Sequence, residues 1–238
     1  MLFALWSVPR SRSTAFFRMM LERGDLAVVH EPFSSRAEHG EAEVGGVRAR
    51  TEHEVIAALR AAARTQHVFF KDTTDERYAA VLADRDLLAR DARHAFLIRH
   101  PGETIPSYFA LNPGVRSSQL GFAALYELYE AVWDASGERP LVFDSAELVE
   151  RPAEIARAYC ARVGLPFVGH ALAWRAGERA EWRATDRWHR DVSATSGFDP
   201  SLRSHAVRIA DHPHLAHYLA EQLPYYEQLR DHRYVPGE

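Results

Sequence analysis

The chain has one cysteine, Cys160, in 238 residues. No intrachain disulfide can form, so packing alone must hold the fold, and a reducing compartment fits that chemistry. Lysine is equally scarce: of 29 Lys plus Arg, only Lys71 is lysine. The two cations are nearly interchangeable on a solvated surface. A lone lysine is therefore either a chance survivor of a coding bias or a place where arginine would not do. Long apolar runs are missing too. The opening run, Leu2 to Val8, is too short to span a membrane, and no basic stretch precedes it as in a secretory signal. A cytoplasmic protein is the expectation. Nor is there an excess of one charge. A net charge of −4 and a pI near 6.4 give no general basic surface, so nucleic acid is not an expected partner and any anion site must be local. Repeats, low-complexity tracts and long linkers are absent.

What is there fits one globular domain over residues 1–238, with 47% hydrophobic and 26% charged residues. Leu2 to Val8 reads as a buried strand that Pro9 stops, and Phe16, Phe17, Met20 and Leu21 recur at helical spacing, so a helix begins near Ser13. Further strands are predicted at Leu26 to His30, His67 to Phe70, Ala95 to Ile98 and Leu141 to Phe143. Helices are predicted over Glu54 to Arg64, Asp75 to Arg90, Thr104 to Leu111, Gly121 to Ala135, Pro152 to Val163 and Pro213 to Leu229. Residues 34–51 are polar and glycine-bearing and read as a long loop, of the kind that covers a binding site. Strands alternating with helices imply a mainly parallel sheet of about five strands with helices on both faces. In such sheets ligands bind beyond the carboxyl ends of the strands. Four polar clusters lie there: residues 9–14, 30–34, 71–74 and 99–107.

The first cluster, Pro9-Arg10-Ser11-Arg12-Ser13-Thr14, crowds hydroxyls and guanidiniums at a helix start. Positive charge in a helix's first turn opposes the macrodipole, which makes sense if an anion sits among the arginines. Arginines that simply point into water are the plainer alternative. The hexapeptide holds neither glycine nor lysine, so it is not a Walker A loop. His212, His214 and His217 lie close in sequence but read as a solvated helix start, and no metal site is expected.

Two of these clusters resemble motifs of the sulfotransferase family that uses 3′-phosphoadenosine 5′-phosphosulfate (PAPS). Residues 9–14 are similar to its 5′-phosphosulfate loop, Pro-Lys/Arg-Ser/Thr-Gly-Ser/Thr-Thr. Phe96-Leu97-Ile98-Arg99-His100-Pro101 with Ser107-Tyr108 is similar to its 3′-phosphate motif. The resemblance covers residues 1–110 well and the remainder loosely. It implies a single-domain, three-layer P-loop-like α/β fold. The implied activity is transfer of a sulfuryl group from PAPS, without a metal, to a hydroxyl or amine of a small-molecule acceptor. On this reading Arg10 neutralises the 5′ leaving phosphate, and Ser11, Arg12, Ser13 and Thr14 help to hold the same oxygens. Arg99 and Ser107 hold the 3′-phosphate. Lys71 resembles the family lysine that points at the transferring group, and Glu31 matches the glutamate base of some branches, with His30 and Asp72 in reserve. Thr195, Ser196 and Gly197, with Arg183 and Trp188, occupy the place of the C-terminal donor loop. Arg12 replaces the family's glycine, Thr73 stands where many members carry a histidine base, and the donor loop lacks Gly-x-x-Gly. A P-loop phosphotransferase and a catalytically silent anion-binding relative are the alternative readings. Oligomeric state stays open.

Overall fold

The computed structural model describes residues 1–177, 179, 181–182, 188, 190–199 and 207–237. Strands β1 (Leu2–Ser7), β2 (Ala27–His30), β5 (Val68–Thr73), β6 (Ala92–Ile98) and β7 (Leu141–Asp144) form one parallel sheet in the order β2-β5-β1-β6-β7. A hairpin of β3 (Ala42–Val44) and β4 (Val47–Ala49) stands apart from it. The helices are α1 (Ser13–Glu22), α2 (Pro32–His39), α3 (Glu52–Ala62), α4 (Ala79–Ala83), α5 (Pro101–Phe109), α6 (Phe122–Ser136), α7 (Ser145–Glu150), α8 (Pro152–Val163), α9 (Arg190–Ser193) and α10 (Pro213–Arg230).

The period of two along each strand sorts the core into two layers. Ala4, Trp6, Phe70 and Phe96 face one side with residues of α2, α3, α6 and α10. Phe3, Leu5, Phe69 and Leu97 face the other with α1, α8, Trp174 and Trp182. Phe16 and Phe17 on α1 are fully buried there, each contributing about 1.5–3 kcal/mol by area. β1 lies at the centre, with Ser7 opposite both Thr73 of β5 and Leu97 of β6. The expected three-layer α/β architecture is therefore present, and the four polar clusters end neighbouring strands on one rim.

Two expectations change. Residues 34–51 are not a loop: α2 runs to His39, and the β3–β4 hairpin follows, turned by Gly45 and Gly46 with φ of 57° and 80°. The stretch from Asp75 to Arg90 is not one helix. Asp84 leaves the helical region after α4, and its carboxylate accepts from Leu87 N (3.0 Å) and both terminal nitrogens of Arg60 (2.9 Å), turning the chain into a π-helical turn at Leu87–Asp91. Near the rim, Gly121 is required by closeness as well as by its φ of 82°, since a Cβ there would meet the Thr74 carbonyl at 2.7 Å. Thr74 Oγ1 in turn donates to the Gly121 carbonyl (2.8 Å), fixing the start of α6 against the end of β5.

Candidate active site

The turn between β1 and α1 is strained where the chemistry is expected. Arg10 and Arg12 hold φ of 64° and 68°, and Glu31 after β2 holds 46°; these are the only positive-φ residues besides glycines among the described residues. Each such conformation costs about 1–2 kcal/mol in an L-residue and persists only where the surroundings over-determine it. Arg12 is the N-cap of α1 and makes no side-chain cap bond; its carbonyl accepts from Ala15 N (3.0 Å). Its left-handed backbone is one that a glycine would adopt without a penalty.

Arg99, at the end of β6, ties this turn down. Its NH1 donates to the Arg10 carbonyl (2.9 Å), and its Nε donates to Glu103 Oε2 (2.9 Å). The Arg10 side chain crosses to α5, where Nε donates to Ser107 Oγ (2.9 Å) and NH1 to the Trp188 carbonyl (2.6 Å). Arg10, expected at the 5′ leaving phosphate, is thus also brought to Ser107 and Arg99, the pair expected at the 3′-phosphate. Burial first, and then the field of Arg99, loosen the hold of the Arg12 guanidinium on its proton, against the opposing pull of Glu103, Asp199 and Asp144. Three guanidiniums converging in this way call for an anion.

On the other side of β1 the rim is built from β2 and β5. Lys71 is 1% exposed and its Nζ donates to Glu31 Oε1. Backbone pairing sets that contact, because Glu31 N–H donates to the Lys71 carbonyl (2.7 Å). The reserve bases are engaged otherwise. His30 packs edge-on to Phe17 at 4.9 Å and beside Trp182 at 5.9 Å. Asp72 is fully buried and caps α2 from a different strand: it accepts from Phe33 N (2.6 Å), Ser34 N (3.1 Å) and Ser34 Oγ (2.6 Å). Burial, helped by the like charge of Glu31, nevertheless pushes its pKa up to about 7 against those donors. Thr73, in the family's histidine position, donates from Oγ1 to Asp75 Oδ1 (2.7 Å). Burial and then Glu31 raise the Asp75 carboxyl to about 6.

These groups share one cleft of about 400 Å³. It is lined by all of residues 9–15, by Glu31 and Lys71, and by Arg99, Ser107, Thr195 and Gly197. Of the expected site residues that the structure describes, Ser196 and the reserve bases His30 and Asp72 do not line it: the Ser196 carbonyl accepts from Trp174 N (3.0 Å), and Gly197 forms a bridge with Ala173. Trp188 reaches the cleft and meets Tyr108 edge to face at 5.3 Å, whereas Trp182 is core. Arg183 lies outside the described residues. His100 turns its ring to the chain, where Nδ1 accepts from Gly102 N (3.0 Å). The cleft also contains Asp75, Ser34 and Glu38, which the motifs did not single out. Only their position just beyond strand ends could have marked them. Ser11 tests the fit to a phosphate: its Oγ is buried with no hydrogen-bond partner among the described residues, in the wall of the cleft beside α1. A hydroxyl so placed awaits a ligand oxygen.

A family model described as a sulfotransferase domain matches residues 1–232. The chain belongs to the sulfotransferase family. Among solved structures, a sulfotransferase from Alicyclobacillus acidocaldarius shares the fold with a TM-score of 0.55 at 11% identity, over 98% of this chain and 96% of that one. The sulfotransferase domain of the curacin biosynthetic pathway gives a TM-score of 0.50 at 14% identity, over 96% and 95%. A sequence comparison with curated proteins returns no match. In this sulfotransferase, then, the guanidinium-rich end and the Lys71–Glu31 end of one cleft are brought together by β1 and its two neighbours. Sulfuryl transfer asks for that layout, since in-line displacement spreads charge over peripheral oxygens and is accelerated by fixed positive charge and positioning. Among the described residues no helix is long and apolar enough to cross a membrane.

Proposed function

We propose that this sulfotransferase takes its sulfuryl group from PAPS and passes it, in the cytoplasm, to a hydroxyl or amine of a small-molecule acceptor. The S–O bond to the 5′-phosphate breaks as the bond from sulfur to the acceptor atom forms. Adenosine 3′,5′-bisphosphate leaves, and the acceptor's proton passes to Glu31. Lys71 serves the charge on the sulfuryl oxygens as a compact ammonium. Ser11, Ser13, Thr14 and the first amides of α1 hold the 5′ end, with Arg12 beside them, and Arg99, Ser107 and Arg10 hold the 3′-phosphate. Thr195 and Gly197 close the donor side.

The observation that carries this reading is the convergence of Arg10, Arg99 and Ser107 at one end of a cleft whose α1 end carries an unpartnered buried hydroxyl. Two phosphate positions on one nucleoside match that pair of features. Titration calorimetry tests it. The sulfotransferase should bind adenosine 3′,5′-bisphosphate at least about 100-fold more tightly than adenosine 5′-monophosphate or ATP, a gap of about 2.7 kcal/mol, and Arg99→Ala should remove most of that gap. Equal affinity for all three ligands would overturn the donor assignment.

A further inference from the structure

The part of the cleft under β2 and β5 differs in chemistry from the donor end. Its walls are Ser34, Ala37 and Glu38 from α2, Thr73 at the end of β5, and Asp75 and Glu76 just beyond it. None of these six is aromatic or a large aliphatic; the aromatic residues lining the cleft, Tyr108 and Trp188, pack on each other at the Arg10–Ser107 end. The lysine at its head, Lys71, already faces the Glu31 carboxylate.

Asp75 is the built feature of this wall. Thr73 Oγ1 donates to its Oδ1 (2.7 Å), and Ser34 Oγ stands 3.5 Å from the same oxygen. Those hydroxyls are themselves fixed: Ser34 Oγ and Thr73 Oγ1 are 3.0 Å apart, and Tyr78 donates to the Thr73 carbonyl (2.8 Å). No neighbouring side chain among the described residues donates to Oδ2. A carboxylate only accepts hydrogen bonds, so one that is fixed by Thr73 and lines the cleft suits an N–H or O–H from the ligand. The charge around it decides which. Glu31 already works against ionisation of Asp75, and Glu76 on the same loop acts in the same direction. A neutral hydroxyl would leave that repulsion in place, whereas a cation would relieve it.

We propose that Asp75 selects the acceptor by pairing with an ammonium group next to the hydroxyl that is sulfated, so that the substrate class is amino alcohols. The proposal rests on the acceptor entering beside Glu31, as in the function proposed above. The hydroxyl proton goes to Glu31 while the ammonium stays protonated on Asp75, and the product is a zwitterionic sulfate ester.

The test uses PAPS with three acceptors of one skeleton: trans-2-aminocyclohexanol, trans-1,2-cyclohexanediol and cyclohexanol. The amino alcohol should show the highest kcat/KM, by about 10-fold or more over the diol. Asp75→Asn should raise its KM about 10- to 100-fold, with a smaller change in kcat. Affinity of that variant for adenosine 3′,5′-bisphosphate should be unchanged, which also shows that it is folded. Thr73→Val, which frees Oδ1, should move KM in the same direction by less. Diol or cyclohexanol used as well as the amino alcohol, or a preference that survives in Asp75→Asn, would overturn the proposal. If none of the three is turned over, calorimetry of each against the bisphosphate-loaded enzyme decides. Amino alcohol binding no tighter than the diol sinks the acceptor class and leaves the donor reading standing, whereas failure of the bisphosphate itself to bind sinks both.

Discussion

An ammonium sealed beside a carboxylate, as Lys71 is beside Glu31, is held by its partner and has little room to change shape. Arginine at this position would bring a wider planar fork into a strand end that is 1% exposed, and its charge would lie spread over three nitrogens. Lys71→Arg should therefore lose most of its turnover while keeping the charge, and a full-speed variant would return the lone lysine to coding chance. Glu31→Gln should lower turnover by about 10²–10⁴-fold with donor affinity nearly unchanged, since an amide cannot take a proton at neutral pH. Single-turnover rates at saturating donor check both. At this scale the sequence was informative about Lys71, because one lysine among so many arginines is visible without a fold. It was silent about Asp75, whose place depends on Thr73 and on α2 beyond it. Nor did it show the reach of Arg10, because a guanidinium extends several ångströms and only the packed chain shows that it meets Ser107.

The helix that begins at Pro32 shows why element boundaries near the site were hard to read. Its N-cap residue, Glu31, gives no side-chain cap bond; the cap comes instead from Asp72, on a strand distant in sequence. A helix of 8 residues, stopped in trans and ending at Gly40, leaves too short a periodic signal to be told from a polar loop. Removing the cap should be costly. Asp72→Ala strands the buried amides of Phe33 and Ser34 and should lower stability by about 2–4 kcal/mol, read from urea unfolding. The same carboxyl gives stability a pH slope. Its folded pKa, about 7, lies above the unfolded value, so the native state binds the proton more tightly. That contribution is complete below the unfolded pKa of about 4 and is lost as pH rises through about 7. Asp75 and Asp144, also raised by burial, add slopes of the same sign, so Asp72→Ala should flatten the fall between those limits without abolishing it. The hairpin, by contrast, contributes buried Ala42, Val44 and Ala49 to the core and nothing to the cleft. Replacing the Gly45–Gly46 turn should leave the acceptor KM unchanged, whereas Ala37→Trp on α2 should raise it. Where a long covering loop was expected, a short helix lines the cleft.

At the scale of the whole chain, the order β2-β5-β1-β6 is what converts four separate sequence clusters into one rim. Alternating strands and helices, read with the rule that ligands sit beyond strand ends, were enough to foresee that rim. The neighbour order was not legible, because crossover connections leave no trace in local pattern. The C-terminal part was least legible: aromatic residues there serve core and cleft alike, and Trp182 and Trp188 differ only in what packs around them. That part meets the β1 turn through the Trp188 carbonyl, which accepts from Arg10, while the Gly197–Ala173 bridge and the Trp174 N–H on the Ser196 carbonyl fix the segment around Thr195 to its own neighbours. A ligand spanning the cleft should therefore join the β1 turn, α5 and the segment around Thr195, none of which is continuous with another in the chain. Binding to the folded state alone stabilises by RT ln(1 + [L]/Kd), about 2.7 kcal/mol at a hundredfold excess over Kd. For a chain of this size each kcal/mol moves Tm by about 2–4 °C, so saturating adenosine 3′,5′-bisphosphate should raise Tm by about 5–10 °C. Inorganic sulfate at the same concentration can occupy one end only and should give a much smaller shift, and Arg99→Ala should suppress the response to the bisphosphate. Thermal unfolding followed by circular dichroism separates these cases, and a Tm indifferent to the bisphosphate would mean that the two ends of the cleft do not grip one ligand.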